Sequence, residues 1–170
     1  MTSDIIIRKT IKDDLPVIRE VLNDIIANTD YYLSENLKTE QDISDWFDAH
    51  QQDKRYVIFT ALSGDDFAGW VSLSPFRKID GYGTTAELSV YVHPSHYRKG
   101  IASKLMWEVE AYTRRCGLIH CIISVITSDN AVSISLHEKH GYAVNCVLRE
   151  VGYKKGRYKD VVFMTKLMSE

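Results

Sequence analysis

A short basic segment between an apolar β-branched run and a helical pattern has the residue types of a phosphate-binding loop. Arg98, Lys99 and Gly100 lie in the loop, and Lys104 follows in the first turns of the helix. A helix N-terminus presents unpaired backbone N–H groups to anions, and a glycine lets a phosphate approach that backbone closely. Residues 90–105 therefore predict a diphosphate-binding cradle and a nucleotide-bearing cofactor.

The elements that must position this cradle follow from hydrophobic periodicity and from turn residues. Helices are expected to begin near Leu15, near Thr39, at Ile101 and after Asp129 or Asn130, with a polar and aromatic loop between the first two. Because helices alternate with hairpins and single strands, we predict an α/β (α+β) fold with a mixed sheet. The predicted strands are 5–8, 56–62, 68–73, 85–92, 120–126, 144–151 and 161–167, with a basic turn over 152–159 between the last two.

Length and charge narrow the class of protein. The chain has 170 residues and a net charge of −2, which suits one domain over 1–170 and argues against a dedicated nucleic-acid binder. No apolar run is long enough to span a membrane, and the N-terminus lacks the features of a signal peptide, so we expect a cytoplasmic location. Cys116, Cys121 and Cys146 lack metal-ligand spacing. We therefore expect no metal, a reducing compartment, and small side chains in or near the core.

Several further segments match one family in residue type and order. Residues 97–102 fit the pyrophosphate motif Gln/Arg-x-x-Gly-x-Gly/Ala except at Tyr97, so backbone amides must make most of the contacts. The other matching segments are 28–29, 46–47, 81–82, 87–94, 130–137 and 152–161. The chain thus resembles the GNAT acyltransferases, and most of all their phosphinothricin and methionine sulfoximine N-acetyltransferase branch. It departs from that branch in the loop 76–79 and at Tyr158.

This resemblance implies a GNAT fold: a mixed, mostly antiparallel central sheet of about seven strands, flanked by about four helices and splayed at the central cofactor-binding strands. It also implies that acetyl-CoA donates an acetyl group to a primary amine, which attacks the thioester directly. Glu87 matches the general base of the family, and a carboxylate can take the ammonium proton directly or through water. Without the resemblance, Glu87 is more simply an exposed strand glutamate.

The resemblance assigns further roles along the cofactor. The Val92 N–H would donate to the oxyanion of the tetrahedral intermediate, at a bulge where the central strand splays from its neighbour. Val90, Tyr91 and Val92 would bond to the pantetheine arm as an added strand does. His137 would give a proton or a hydrogen bond to the leaving thiolate of CoA; the alternative is a histidine that serves packing. Cofactor contacts are also implied for Arg98, Lys99, Gly100, Ile101, Ala102, Ser103, Lys104, Asn130 and Ser133.

At the acceptor, Arg77 is expected to pair with a carboxylate or phosphinate, because the guanidinium fork matches planar oxyanions. Its neighbours Lys78 and Ile79, and Glu87, complete the expected substrate contacts. The basic residues from 154 to 159 are most simply a solvated turn, and Trp107 is expected in the core.

The function so implied is acetylation of the primary amine of a small amino-acid-like molecule of the phosphinothricin or methionine sulfoximine or sulfone type. Two alternatives stay open: a protein or peptide N-acetyltransferase, and a domain that binds acetyl-CoA without turnover. The resemblance further implies a homodimer. Neither a nucleic acid nor a membrane is expected as a partner.

Overall fold

A seven-stranded sheet with the strand order β1-β2-β3-β4-β5-β7-β6 organises the computed structural model, which describes residues 4–168. Of the six strand pairs, only β4–β5 is parallel, so the sheet is mixed and mostly antiparallel, as predicted. The strands are β1 Ile5–Lys9, β2 Ile58–Ser63, β3 Asp66–Pro75, β4 Thr85–Val92, β5 Cys121–Thr127, β6 Ala143–Lys154 and β7 Arg157–Leu167. The helices are α1 Leu15–Asn28, α2 Glu40–Gln51, α3 Ile101–Cys116 and α4 Ala131–Lys139.

The helices begin where capping residues place them. At α2, the Thr39 hydroxyl accepts from the Asp42 N–H at 3.1 Å, and the Asp42 carboxylate accepts from the Thr39 N–H at 2.8 Å. This reciprocal pair is a capping box with aspartate at the third helical position. At α4, Asn130 is the N-cap, and its Oδ1 accepts from the Ser133 N–H at 3.1 Å. Both helix starts were predicted from sequence.

Two hydrophobic clusters lie on opposite faces of the sheet. Successive side chains of a strand point to opposite faces. On β3, Trp70 accordingly packs with α1 and α2 residues such as Ile18 and Phe47, whereas Val71 packs in the cluster that contains Leu105 of α3. The layer of α1 and α2 and the layer of α3 therefore hold β3 and β4 between them.

The sheet opens between β4 and β5. These strands pair only from Thr85 to Glu87, opposite 121–123, and then diverge, as the predicted splay requires. We expected a bulge in β4 at this point. The ladder between β3 and β4 instead runs without a register shift from Ala86 opposite Pro75 to Val92 opposite Gly69. The gap forms because β5 leaves β4, while β4 stays regular against β3.

The last hairpin is longer than the sequence suggested. Instead of a basic turn over 152–159, β6 and β7 continue until only Lys155 and Gly156 remain, with φ of 49° and 76°. Two successive left-handed residues form the two-residue turn that matches strand twist. Trp107 was also placed wrongly, since it is 57% exposed, and Cys146 is exposed rather than near the core. No helix within residues 4–168 is long and apolar enough to cross a bilayer.

Candidate active site

A cavity of about 570 Å³ occupies the gap between β4 and β5. The N-terminus of α3 closes one side of it and α4 another. It brings together most of the residues predicted to bind the cofactor. Among its lining residues are Val90, Tyr91, Val92, Arg98, Gly100, Ile101, Ala102, Ser103, Asn130, Ser133 and His137.

The edge of β4 that faces this cavity has free backbone groups. The His93 N–H donates to the Ala68 carbonyl of β3 at 2.9 Å, and Val92 lies opposite Gly69. Backbone groups of successive residues in an antiparallel pair alternate between the two sides of the strand. The N–H and C=O of Val90 and Val92 therefore point away from β3, towards the gap that β5 has left. This edge can bond to an extended amide-containing chain as a further strand would.

The phosphate end of the cavity lies at the start of α3. Arg98 and Gly100 both have left-handed backbone angles, with φ of 61° and 73°, and no side chain caps the helix. A Cβ added to Gly100 would meet no atom within 4 Å, so the approach to the first N–H groups is open. Lys99 and Lys104 are exposed and do not line the cavity; the Lys99 ammonium lies 3.4 Å from Nδ1 of His96.

His137 lies at the inner end of the cavity with a defined proton position. Its Nδ1 is 2.7 Å from the Ser133 carbonyl, which can only accept, so Nδ1 holds the proton of the neutral ring. Nε2 is buried and has no partner among the described residues. Burial lowers the pKa of His137, which favours the neutral ring. At neutral pH the group therefore offers an acceptor at Nε2, and it becomes a donor there only with a second proton.

A second cavity, of about 410 Å³, lies on the other face of β4 beneath α1 and α2. Glu87 lines it, half-buried, and burial raises the pKa of its carboxyl. The wall opposite contains Tyr32 and Lys38 of the loop before α2, and Asp42 and Trp46 of α2 itself, none of which was predicted to contact the acceptor. The loop was predicted only as polar and aromatic without periodicity, and that composition was the one available signal for Tyr32 and Lys38.

The two cavities meet at β4, where Ser89 and Tyr91 line both. Tyr91 stacks on Trp70 with ring centroids 4.6 Å apart. Burial raises the pKa of Tyr91 well above its usual range, so the phenol stays neutral at this boundary. The Glu87 carboxylate on one side of β4 thus lies next to the first cavity, which contains the free backbone groups of β4 on the other side.

The predicted acceptor residues of the β3–β4 loop are not part of either cavity. Arg77, Lys78 and Ile79 are all exposed, and none lines the wall near Glu87. The Arg77 guanidinium instead lies 5.4 Å from the centroid of the Phe76 ring. Within residues 4–168, no group of three or more His, Cys, Asp or Glu side chains is arranged to hold a metal ion.

Comparison with known proteins finds acetyltransferases of similar sequence and length. Residues 22–142 match the family model described as the acetyltransferase (GNAT) family. The chain is 33% identical over 164 residues to the L-methionine sulfoximine/L-methionine sulfone acetyltransferase of Salmonella typhimurium, covering 96% of this chain and 95% of that protein. It is 31% identical to the L-amino acid N-acyltransferase MnaT of Escherichia coli over 96% and 94% of the two chains. The phosphinothricin N-acetyltransferase of Streptomyces coelicolor is 27% identical over 95% of each.

Solved structures agree with this assignment of fold. A Salmonella typhimurium acetyltransferase, solved with its cofactor acetyl-CoA, superposes with a TM-score of 0.93 at 33% identity, over 99% of this chain and 96% of that one. The ribosomal-protein-alanine N-acetyltransferase of Brucella melitensis superposes with a TM-score of 0.90 at 32% identity, over 95% and 99%. The predicted fold class and the predicted resemblance are both confirmed.

Proposed function

Because this chain belongs to the acetyltransferase (GNAT) family and is an N-acetyltransferase, we propose that it acetylates the primary amine of a small amino-acid-like molecule. Methionine sulfoximine, methionine sulfone and phosphinothricin, the compounds that appear in the names of its relatives, are the model acceptors. One observation supports this most directly. The half-buried Glu87 lines the second cavity, which we call the acceptor cavity. At β4 this cavity meets the first one, which we call the cofactor cleft.

The cofactor cleft fits acetyl-CoA. The free backbone edge at Val90 and Val92 matches the amides of a pantetheine arm, and the uncapped start of α3 at Gly100 matches a diphosphate. Arg98 lines the same cleft and would add a cation near the phosphates. The bound thioester supplies an activated acetyl group, and the protein residues orient it and handle the protons.

Glu87 is the proposed general base. An ammonium ion has no lone pair, so the acceptor must lose a proton before it can attack. The Glu87 carboxylate can take that proton directly or through water, since it lies inside the acceptor cavity. Its pKa, raised by burial, makes it a stronger base than an exposed glutamate. Negative charge that develops on the thioester oxygen would be met by the N–H of Val92.

His137 stays the proposed group nearest the leaving thiolate. Its Nδ1 proton is held by the Ser133 carbonyl, and Nε2 has no protein partner among the described residues. We propose that the His137 ring is neutral when acetyl-CoA binds. Nε2 can protonate the leaving thiolate only after the ring has gained a second proton. That proton would come from solvent or from the ammonium group of the acceptor.

Lys38 is the proposed contact for the acceptor carboxylate, beyond the residues predicted from sequence. It is the one lysine or arginine that lines the acceptor cavity in the described part of the chain, and no carboxylate is within ion-pairing distance of it there. Its backbone is fixed, because its N–H donates to Asn23 at 2.7 Å and its carbonyl accepts from Asn23 at 3.0 Å. The Lys38 ammonium is thus held at the cavity and has no ion-pair partner in residues 4–168, and we propose that it binds a substrate anion there.

We expect Lys38→Met to raise the KM for amino-acid acceptors about tenfold, because a charged hydrogen bond of about 1.5 kcal/mol is lost. The KM for acetyl-CoA should not change. Lys12→Met, at an exposed lysine outside both cavities, is the control. Steady-state kinetics with an acid acceptor and its decarboxylated amine would separate the cases. An equal effect on both acceptors would remove Lys38 from carboxylate binding.

Release of CoA thiol from acetyl-CoA, measured across a panel of amines, tests the function itself. We expect turnover with methionine sulfoximine or phosphinothricin and with other small amino acids. The likeness to a ribosomal-protein-alanine N-acetyltransferase gives the second candidate, a peptide acceptor, and turnover confined to peptides would establish it. Thiol release no higher than the acceptor-free rate with every amine would favour a domain that binds acetyl-CoA without turnover.

We also infer the number of domains, the oligomeric state and the compartment. One sheet joins β1 to β7, which supports a single domain. We further infer a homodimer. The edge strand β6 supports the dimer, because Val144, Val147, Leu148 and Val151 are exposed along it. A monomeric mass by light scattering would contradict this. Free cysteines at 116, 121 and 146 suit a reducing cytoplasm.

A further inference from the structure

The tip of the last hairpin packs against the loop that forms one wall of the acceptor cavity. We define the hairpin tip as residues 152–159 and the acceptor loop as residues 29–38. We propose that Lys154 of the hairpin tip is a positioning residue for acceptor binding: its buried ammonium fixes the acceptor loop against α1, with Tyr32 at the cavity wall. This rests on the proposed function, since that assigns the cavity to the acceptor.

Lys154 is fully buried, at 0% exposure, although it lies next to a turn. Its ammonium donates to the Ile26 carbonyl at 2.8 Å and to the Tyr32 carbonyl at 2.6 Å. Ile26 lies in the last turn of α1, where carbonyls lack helical partners and the helix dipole favours a cation. One ammonium thus joins the C-terminal end of α1 to the acceptor loop. The expectation of a solvated lysine was wrong here.

The charges around Lys154 explain why a cation is held there. Asp30 and Glu35 of the acceptor loop favour the charged form, while burial and the neighbouring Lys155 lower the pKa of the ammonium. Burying an unpaired charge is costly unless hydrogen bonds satisfy it. The two carbonyls accept those bonds. Each carbonyl thereby gains a donor, which an apolar side chain could not provide.

Further contacts join the same two segments. The Lys159 ammonium bridges Asp30 and Asp129, at 2.7 Å to each. The Lys155 N–H donates to the Glu35 carboxylate at 2.5 Å. Gly152 lies against Leu33, so closely that a Cβ there would be 2.7 Å from a Leu33 methyl. Because Asp129 precedes the α4 cap Asn130, Lys159 also links the acceptor loop to the cofactor side.

Two of the contacts to the acceptor loop hold the backbone of a residue that lines the acceptor cavity. Asn23 of α1 holds the backbone of Lys38, and Lys154 holds the backbone of Tyr32. Tyr32 and Lys38 both line the acceptor cavity, and the Lys38 ammonium lies 5.9 Å from the centroid of the Tyr32 ring. Loss of the Lys154 anchor frees the side of the acceptor cavity that Tyr32 forms. Thr29 and Tyr31 of the same loop also line the cofactor cleft, but most of that cleft is formed by β4, β5, α3 and α4, so the larger effect should fall on the acceptor.

The test compares Lys154→Met with Lys155→Met, a control at a neighbouring lysine whose side chain is 41% exposed and reaches Asp30 only at 3.9 Å. For Lys154→Met we expect an acceptor KM raised about tenfold and an acetyl-CoA KM within about twofold of wild type. Lys154→Arg keeps a cationic donor and should recover part of the acceptor affinity. The control should match wild type. An unchanged acceptor KM, or an equal rise in both KM values, would overturn the proposal.

Hydrogen exchange separates this proposal from the proposed function. In the protein without acceptor, amides of residues 29–38 should exchange faster in Lys154→Met, while amides of α3 should not change. That result is independent of which acceptor is turned over, or whether any is. Should Lys154→Met not fold, Asp30→Asn weakens the Lys159 bridge from the loop side and predicts the same pattern. Unaltered exchange of the loop in the folded variant would refute the positioning role.

Discussion

Replacement of Glu87 by glutamine is expected to lower kcat by roughly a hundredfold to a thousandfold, since a positioned general base contributes about that much. Glutamine has nearly the same shape but cannot take a proton from the acceptor ammonium. The side chain lies in the acceptor cavity and lines no part of the cofactor cleft. The KM for acetyl-CoA should accordingly stay within about twofold of wild type.

The pH profile gives this prediction a second measurement. Glu87 acts only as the carboxylate, so the rate must fall as pH falls through its pKa. Burial raises that pKa, and the fall should therefore begin at a higher pH than for an exposed glutamate. The Gln variant should lose this limb. Glu108→Gln on α3, outside both cavities, is the matched control. An unchanged kcat would remove Glu87 from the mechanism.

Local features of the site could be predicted because they depend on a few adjacent residues. The cradle at Gly100 needs a left-handed backbone at a helix start, and the cap at Asn130 needs a side chain three residues before the N–H that it satisfies. The strand that ends at Val92 was likewise visible as an apolar β-branched run. Each of these is determined within one turn or one strand, so sequence spacing is enough.

Features that depend on distant contacts could not be predicted. Lys154 bonds to Tyr32, a residue 122 positions earlier in the chain, and nothing near it in sequence distinguishes a buried lysine from a solvated one. Lys38 is marked only by the cavity that α1 and α2 form above it. Trp107 was placed in the core on residue type, although aromatic side chains also occur at surfaces and interfaces.

The resemblance places Arg77 at the acceptor, and the position of this residue also depends on contacts outside its own segment. Residues 77–79 of its loop are exposed, and none of them lines the cavity that contains Glu87. In the proposed homodimer such a loop could contribute to the site of a second copy, so Arg77, Lys78 and Ile79 stay a prediction about the assembly. Within residues 4–168 of a single chain, Lys38 is the lysine or arginine that lines this cavity.

The proposed role of Val92 rests on a backbone N–H, which substitution of Val92 itself would not remove. Gly69 on β3 offers indirect access, because it lies opposite Val92. A Cβ added there would be 2.4 Å from the Tyr91 carbonyl oxygen and 3.0 Å from the Val92 Cα. Both neighbours are backbone atoms, so β4 must move away from β3, towards the cofactor gap.

We therefore expect Gly69→Ala to lower the free energy of unfolding by about 1 to 3 kcal/mol, the usual cost of overpacking. It should also lower kcat/KM for acetyl-CoA at least tenfold, since a shift of about 1 Å at aligned donors is costly to catalysis. Thermal unfolding and steady-state kinetics measure the two effects.

Gly64→Ala, in the turn before β3, separates backbone displacement from general instability. Gly64 has φ of 63°, so alanine there is strained, but its Cβ would meet no atom within 4 Å. This variant should lose about 1 kcal/mol of stability and keep its kinetics. If Gly69→Ala lost stability but kept the wild-type kcat/KM for acetyl-CoA, the backbone position of Val92 would not matter for transfer. If its kinetics fell while those of Gly64→Ala did not, the geometry of the β4 backbone would be the cause, since both are glycine-to-alanine changes in one hairpin.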